Sequence, residues 1–172
     1  MTSVTSDNAT DLVKAFQALA TDHQLALFYF IYKEMGGSIT PAAPGASNVS
    51  PAIADGLFNQ VKDLSDDEQL QLQRDLIEKK DTELSRQYGG LGDTTKLLFW
   101  YLLAQGMDSS DIIPLPSGYE LPSAAADLLT QIKTTDFQKQ ITFFRDIVAP
   151  MGFDATNSFI PETSEQPVKV GS

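Results

Sequence analysis

Two stretches of this sequence, residues 25–32 and 97–104, are apolar or aromatic at every position. In the first stretch, helical spacing of i, i+3, i+4 and i+7 places on one face Leu25, Phe28, Tyr29 and Tyr32. A different face of the same helix carries Leu27, Phe30 and Ile31. A helix that is apolar on two faces is predicted to be buried on both sides.

The second stretch, within "TKLLFWYLLAQGM", has the same property. One of its faces carries Leu97, Trp100, Tyr101 and Ala104, and its other apolar residues lie on two further faces. The simplest interpretation is that both stretches are central helices of a bundle, covered by protein all round. The alternative is an aromatic clamp around a flat apolar ligand, formed by amphipathic tyrosine rings together with Trp100.

Helical patterns continue along nearly the whole chain. A first helix is predicted from Asn8 or Thr10 to Leu19, and the Thr21–Gln24 spacing predicts a capping box for the second. The Gly-Gly pair at 36–37 ends that helix. Further helices are predicted over residues 50–63, 66–80, 82–89, 93–107, 122–133 and 135–149.

Start signals and connectors support these assignments. Ser65 with Glu68 forms a capping-box spacing, and Thr134 or Thr135 near Gln138 supplies a start signal for the last helix. The segments "SITPAAPGASN" and "IIPLPSGYELP" are predicted to be loops because of their proline and glycine content. About eight helices without strands predict an all-α bundle over residues 1–154, and residues 155–172 are predicted to be a flexible tail.

Composition narrows the functional classes. The chain has 172 residues, which favours a single domain, and its net charge of −11 argues against binding to nucleic acid or anionic membranes. It has no cysteine, no basic and apolar N-terminal signal, and no apolar run near the roughly 20 residues that cross a bilayer. We therefore expect a cytoplasmic protein.

Catalytic motifs are missing from the sequence. The single histidine, His23, has no partner at metal-binding spacing, so no metal site is predicted. "GGLGD" at 89–93 lacks the strand and spacing of a phosphate-binding loop, and no G-x-S-x-G motif is present. We predict that the protein is not an enzyme.

Four blocks of the sequence carry a family resemblance. In order, "DHQLALFYFIYKEMGGSITPAAPGA", "KLLFWYLLAQGM", "IPLPSGYELP" and "QITFFRDIVAPMGF" resemble the N-terminal, carotenoid-binding domain of the cyanobacterial orange carotenoid protein family, including its stand-alone helical homologues. The resemblance implies two interleaved four-helix bundles with a ketocarotenoid, such as canthaxanthin or echinenone, in a tunnel between them. Residues 155–172 resemble the start of the family's interdomain linker.

The helical faces and the resemblance together nominate a set of carotenoid-binding residues. In the resemblance, Tyr32 and Trp100 correspond to aromatic residues that sandwich one end ring of the pigment. Gly45 corresponds to a glycine that lets the backbone approach the polyene. The full set is Leu25, Phe28, Tyr29, Tyr32, Gly45, Leu97, Trp100, Tyr101, Met107, Leu115, Pro116, Tyr119, Ile141, Arg145 and Val148.

Some positions depart from the family pattern. Tyr29 stands where the family often has tryptophan, and Pro41 and Leu98 replace differently shaped tunnel residues. Arg145 matches the arginine that, in full-length members, bridges two domains in the dark and later contacts the phycobilisome antenna. Here it is followed by Asp146, which adds negative charge beside that arginine.

The resemblance implies photoprotection by a carotenoid-bound light-harvesting accessory protein. The pigment quenches singlet oxygen and dissipates excitation energy as heat. Direct quenching of phycobilisome fluorescence at the thylakoid surface is one alternative, and exchange of carotenoid with a homologue of the C-terminal domain is another. In the absence of that second domain, no autonomous light-driven switch is expected. From a different class, the chain remains interpretable as a pigment-free all-α adaptor.

Overall fold

In the part of the chain that the structure describes, eight α-helices bury their nonpolar faces against one another in two groups. The computed structural model describes residues 8–37 and 51–154, and in these ranges it contains no β-strand. The first group comprises α1 (Asn8–Gln17), α2 (Thr21–Ile31), α7 (Ser123–Thr134) and α8 (Phe137–Val148). The second comprises α3 (Pro51–Lys62), α4 (Asp66–Glu78), α5 (Glu83–Gly89) and α6 (Asp93–Ser109). The prediction of an all-α fold is confirmed.

The two groups are interleaved along the chain. In the first group, α1 packs against α7 and α8, and α2 packs against α7; in the second, α3 packs against α4, α5 and α6. All four helices of the second group lie in the sequence between α2 and α7. The first group is therefore completed only by α7 and α8, at the end of the described chain. Contacts of α2 with α4 and of α6 with α8 form the boundary between the groups, which we call the seam.

The two apolar helices both lie at this seam. In α2, Leu27 and Ile31 are fully buried, as their positions predict, whereas Phe30 is half-buried with its ring edge against Tyr29 at 5.4 Å. In α6, Phe99 is fully buried. After Ile31 the chain continues as a π-helical turn, Tyr32–Gly36, which contacts α6. Helix α6 is therefore covered by α3, α8 and this turn.

Residues 149–154, which we call the closing segment, follow α8 and return to the second group. The backbone N–H of Gly152 donates to the Leu76 carbonyl at 2.7 Å, and that of Phe153 donates to the Ser85 carbonyl at 3.1 Å. These bonds fix the end of the described chain against α4 and α5.

The start of α4 agrees with its prediction. Ser65 is the N-cap, its hydroxyl accepts from the Glu68 backbone N–H at 3.3 Å, and the Glu68 carboxylate accepts from the Ser65 backbone N–H at 3.1 Å. Both halves of the capping box are therefore formed.

Two other predicted start signals are wrong. Helix α2 begins after Ala20, the Thr21 hydroxyl donates to Glu78 at 3.1 Å, and Gln24 donates to carbonyls at the end of α1. At α8 the cap is Asp136, whose carboxylate accepts from the Lys139 backbone N–H at 2.9 Å. At α2 the predicted cap residue Thr21 bonds instead to a distant residue, Glu78. At α8 the neighbouring Asp136 takes the place of the predicted threonine cap.

Several predictions lie outside the described residues. They concern the loop at 38–48, with Pro41 and Gly45, and the tail over residues 155–172. What the sequence indicates for these two segments therefore stays a prediction.

Replacement of Ser65 by alanine tests the capping box. We expect the free energy of unfolding to fall by about 1 kcal/mol, because an N-cap hydrogen bond is lost. Ser123→Ala is the matched control, since α7 begins after Pro122 without a side-chain cap, and it should change stability by less than about 0.5 kcal/mol. Urea denaturation of both variants measures the difference. Equal losses in the two variants would contradict the assigned role of Ser65.

The contact between Tyr29 and Asp108 predicts a pH dependence. The Tyr29 hydroxyl donates to Asp108 Oδ1 at 2.6 Å, and this bond, followed by burial and the carboxylate charge, raises the pKa of Tyr29 to about 12. Because the folded-state pKa is the higher one, the bond contributes fully below the unfolded value of about 10. Its contribution is then lost as the pH rises toward 12.

Phenolate absorbance measures this titration. Subtracting the curve of Tyr29→Phe from that of the wild type isolates the single phenol, and we expect its inflection near pH 12. An inflection near the ordinary value of about 10 would show that the bond is absent in solution.

Candidate functional site

The seam contains a mainly apolar cavity of about 270 Å³. It lies between the start of α2 and the middle of α4 and is bordered by the chain that follows α6. Its lining consists of Asp22, Leu25, Ala26, Leu70, Gln73, Arg74, Met107, Ile113, Pro114, Leu115, Pro116 and Tyr119. Such a cavity between helical bundles is a typical place for an apolar ligand.

The charged residues of this cavity form an ion pair at its rim. Arg74 donates to both carboxylate oxygens of Asp22, at 2.8 and 3.0 Å, and thereby connects α4 to α2 across the seam. The pKa of Asp22 is lowered by the hydrogen bond from Arg74. Because the two charges satisfy each other, the cavity presents mostly apolar surface to a ligand.

A second, narrow cavity of about 10 Å³ lies beside the first, against the middle of α6. The two share Leu25, Gln73 and Met107. The remaining lining residues of the narrow cavity are Phe28, Tyr29, Tyr32, Trp100, Leu103 and Ala104. The two cavities are therefore neighbours along the seam, and the wider one is at the Tyr119 end.

Stacked aromatic rings restrict the narrow end. The Phe28 ring lies 4.6 Å from the Trp100 ring and 5.2 Å from the Tyr32 ring, and it is stacked on both. The Tyr32 ring also contacts Phe144 at 4.9 Å and Tyr101 at 6.0 Å. Tyr32 and Trp100 thus enclose the ring of Phe28. A ligand ring enters between them only if the Phe28 side chain moves.

Hydroxyl groups fix the tyrosines of this site. The Tyr32 hydroxyl donates to the Leu97 carbonyl at 2.9 Å, and burial raises the pKa of this phenol well above its ordinary value. Tyr29 bonds to Asp108, which also accepts from Lys33 at 3.3 Å. Tyr29, near the end of α2, and Tyr32, in the π-helical turn, are therefore each bonded to α6, which orients their rings.

Sequence reasoning missed two polar residues of the site. Gln73 is 5% exposed and lines both cavities, although its position on α4 carries no motif. Tyr88 is fully buried on α5, and its hydroxyl accepts from the indole N–H of Trp100 at 2.9 Å. In the sequence, Tyr88 stands out only as a tyrosine on a short predicted helix, and nothing there identifies Trp100 as its partner.

Most of the nominated residues meet at the seam. Nine of them line one or both cavities: Leu25, Phe28, Tyr29, Tyr32, Trp100, Met107, Leu115, Pro116 and Tyr119. Leu97 supplies the carbonyl that holds Tyr32, and Tyr101 packs beside the Tyr32 ring.

The three nominated residues of α8 lie elsewhere. Ile141 and Val148 are buried core residues that line neither of these cavities. The Arg145 side chain is 39% exposed, and its Nε lies 3.7 Å from Asp146 Oδ1. Gly45 is outside the described ranges.

The site offers shape and apolar contact, with few reactive groups. In residues 8–37 and 51–154, no group of three or more His, Asp or Glu side chains is placed to hold a metal ion. A search of the same ranges for a helix long and apolar enough to cross a membrane found none. The wider cavity is suited to holding an apolar group.

Comparison with known proteins places the chain among carotenoid proteins. The family model described as "Orange carotenoid protein, N-terminal" matches residues 2–154. An orange carotenoid-binding domain-containing protein of Nostoc sp. PCC 7120 is 45% identical over 150 residues, which is 87% of this chain and 86% of the relative. The orange carotenoid-binding protein of Limnospira maxima is 38% identical over 86% of this chain, which spans only 47% of that relative.

Solved structures agree. The red carotenoid protein of Anabaena (Nostoc) sp. PCC 7120, determined with canthaxanthin, superimposes with a TM-score of 0.76 at 58% identity, covering 86% of this chain and 99% of the other. The orange carotenoid protein of the same organism, also with canthaxanthin, gives a TM-score of 0.75 at 38% identity over 87% and 48% of the two chains. The chain therefore belongs to the family of the orange carotenoid protein N-terminal domain.

Proposed function

We propose that this chain binds a ketocarotenoid at the seam and acts in photoprotection. The observation that carries the proposal is the pair of neighbouring, mainly apolar cavities lined by residues from Tyr119 to Trp100, in a member of a family whose solved structures hold canthaxanthin. Canthaxanthin, echinenone or a similar pigment fits the chemistry of this lining. We further propose a cytoplasmic, non-enzymatic protein.

The energetics of such a ligand favour tight binding. A carotenoid is about as long as a 20-residue helix, roughly 30 Å, so it needs a route along the seam rather than a single pocket. Each Å² of apolar surface removed from water contributes roughly 25 cal/mol, and a pigment of this size buries several hundred Å². The cost of ordering the pigment and the protein reduces this favourable contribution to the free energy of binding but does not cancel it.

The chain's own residues divide the work along the route. Trp100 and Tyr32 flank a ring at the narrow end, where Phe28 has to change its rotamer to admit it. Leu25 and Met107, which line both cavities, enclose the polyene between them. Tyr119 contacts the pigment in the wider cavity.

The bound pigment itself supplies the photophysics, by quenching singlet oxygen and releasing excitation energy as heat. The residues of the seam hold it in one pose, exclude water and fix the stacking on its ring. No proton transfer by the protein is required.

Coexpression with a ketocarotenoid pathway tests this function. The purified protein should be orange or red, and pigment extraction should identify the carotenoid. Trp100→Ala is expected to lower pigment occupancy about tenfold, because aromatic stacking worth up to about 1.5 kcal/mol is lost. Trp100→Phe should retain pigment with a shifted visible maximum.

Phe137→Ala is the matched control, since this aromatic residue is 42% exposed and lies outside both cavities. It should leave the spectrum unchanged. A colourless wild-type protein from cells that demonstrably contain ketocarotenoid would contradict the proposal and favour the pigment-free adaptor.

We also propose a protein partner for the surface around Arg145. The partially exposed guanidinium has only a loose pair with Asp146, at 3.7 Å, and it lines neither cavity of the seam. These features suit contact with another protein better than contact with the pigment. The candidates are the phycobilisome antenna, at the thylakoid surface, and a homologue of the C-terminal domain that exchanges carotenoid.

Fluorescence of isolated phycobilisomes distinguishes these partners. If the antenna is the partner, the pigmented protein quenches the fluorescence, and Arg145→Leu raises the concentration for half-quenching about tenfold, the effect of losing a contact worth about 1.4 kcal/mol. Arg86→Leu removes the same charge from an exposed site on α5 that pairs with Asp81, and it should have no effect. No quenching at any ratio would exclude the antenna role and leave singlet-oxygen quenching or carotenoid exchange.

A further inference from the structure

The only tryptophan of the chain has its indole held by one hydroxyl group. Trp100 Nε1 donates to Tyr88 Oη at 2.9 Å, and Tyr88 Oη donates to the Val148 carbonyl at 2.7 Å. Because Trp100 is 3% exposed and Tyr88 is fully buried, water is poorly placed to replace either bond. A hydroxyl has one proton, so donation to Val148 leaves a lone pair for the indole N–H.

The closing segment is attached at the same place. Lys96 donates from Nζ to the Ala149 carbonyl at 2.7 Å, and its ammonium group lies 5.3 Å from the centroid of the Tyr88 ring. The carbonyl that accepts from Tyr88 belongs to the last residue of α8, immediately before the closing segment. Tyr88 therefore contacts both the Trp100 side chain and the point where the chain leaves α8.

Close packing strengthens this connection. Gly152 has a φ of +79°, and a Cβ at this position would lie 2.5 Å from Cδ1 of Tyr88. No side chain fits between the closing segment and the Tyr88 ring. The segment cannot shift toward α5 without displacing that ring.

We propose that Tyr88 is a positioning residue that fixes the indole of Trp100 and couples its orientation to the closing segment. A force or a partner acting on the closing segment then changes, through Tyr88, the environment of the Trp100 indole and of the pigment ring proposed to stack on it. The pigment part of this inference rests on the proposed stacking of Trp100 against a carotenoid. The coupling between the segment and the indole does not.

The single indole N–H resonance of the ¹⁵N-labelled full chain reports the coupling without pigment. In Tyr88→Phe the indole loses its acceptor, so its hydrogen exchange should accelerate about tenfold, which corresponds to a hydrogen bond worth about 1.4 kcal/mol. Tyr32→Phe is the matched control, because it removes another buried bond from a tyrosine hydroxyl to a carbonyl without touching the indole N–H. Its indole exchange should stay within about twofold of the wild type, apart from any change in global stability.

Two glycine variants test the closing segment. Gly152→Ala forces a side chain against Tyr88 and should shift the indole resonance and accelerate its exchange. Gly118→Ala is matched in backbone strain, with a φ of +75°, but its Cβ would meet no atom within 4 Å. It should leave the indole unchanged. If Tyr88→Phe does not fold, this pair carries the test alone.

The outcomes separate this inference from the proposed function. An indole resonance that is identical in wild type, Tyr88→Phe and Gly152→Ala overturns the coupling. With pigment bound, the coupling predicts a shifted visible maximum in Gly152→Ala. A shifted indole with an unshifted pigment spectrum overturns the link to the ring site. A chain that takes up no pigment overturns the proposed function, while a shifted indole would still support the coupling.

Discussion

Helix α6 has to pack against several parts of the chain at once, and the arrangement of the two groups follows from this requirement. Its apolar residues occupy three faces, so no single partner helix can remove them from water. Helix α3 covers one side, α8 covers another, and the π-helical turn after α2 covers a third. Because these partners come from both four-helix groups, α6 lies at the seam, and Trp100 is carried into the narrow cavity.

Polar groups hold this apolar seam in register. The hydroxyls of Tyr29, Tyr32 and Tyr88 each bond to a group more than 50 positions away, at Asp108, Leu97 and Val148. Aromatic rings alone can slide over one another, whereas a buried hydroxyl that loses its acceptor has no water to replace it. Tyr32 and Tyr88, whose hydroxyl bonds are buried, therefore give the stacked rings a fixed geometry, and the Tyr29–Asp108 bond adds a contact at the surface.

The local pattern predicted the elements better than their ends. Ser65 and Glu68 form the predicted capping box because both lie within one helical turn. Thr21 has the same signal but bonds to Glu78 instead, since folding brings α4 beside it. The two-sided burial of α2 also follows from its sequence. By contrast, Gln73 and Tyr88 have roles in the site that depend on contacts between distant segments, which no local pattern records.

The sequence by itself determined the all-α class, the two central helices and the apolar character of the site, because helical periodicity and burial are local properties of the chain. The family resemblance supplied the nature of the ligand. Only the tertiary structure decided that Phe28 stacks between Tyr32 and Trp100, and that Tyr88 connects Trp100 to Val148. Those relationships arise where α2, α5, α6 and α8 meet, and they depend on distances that exist only after the two groups have packed together.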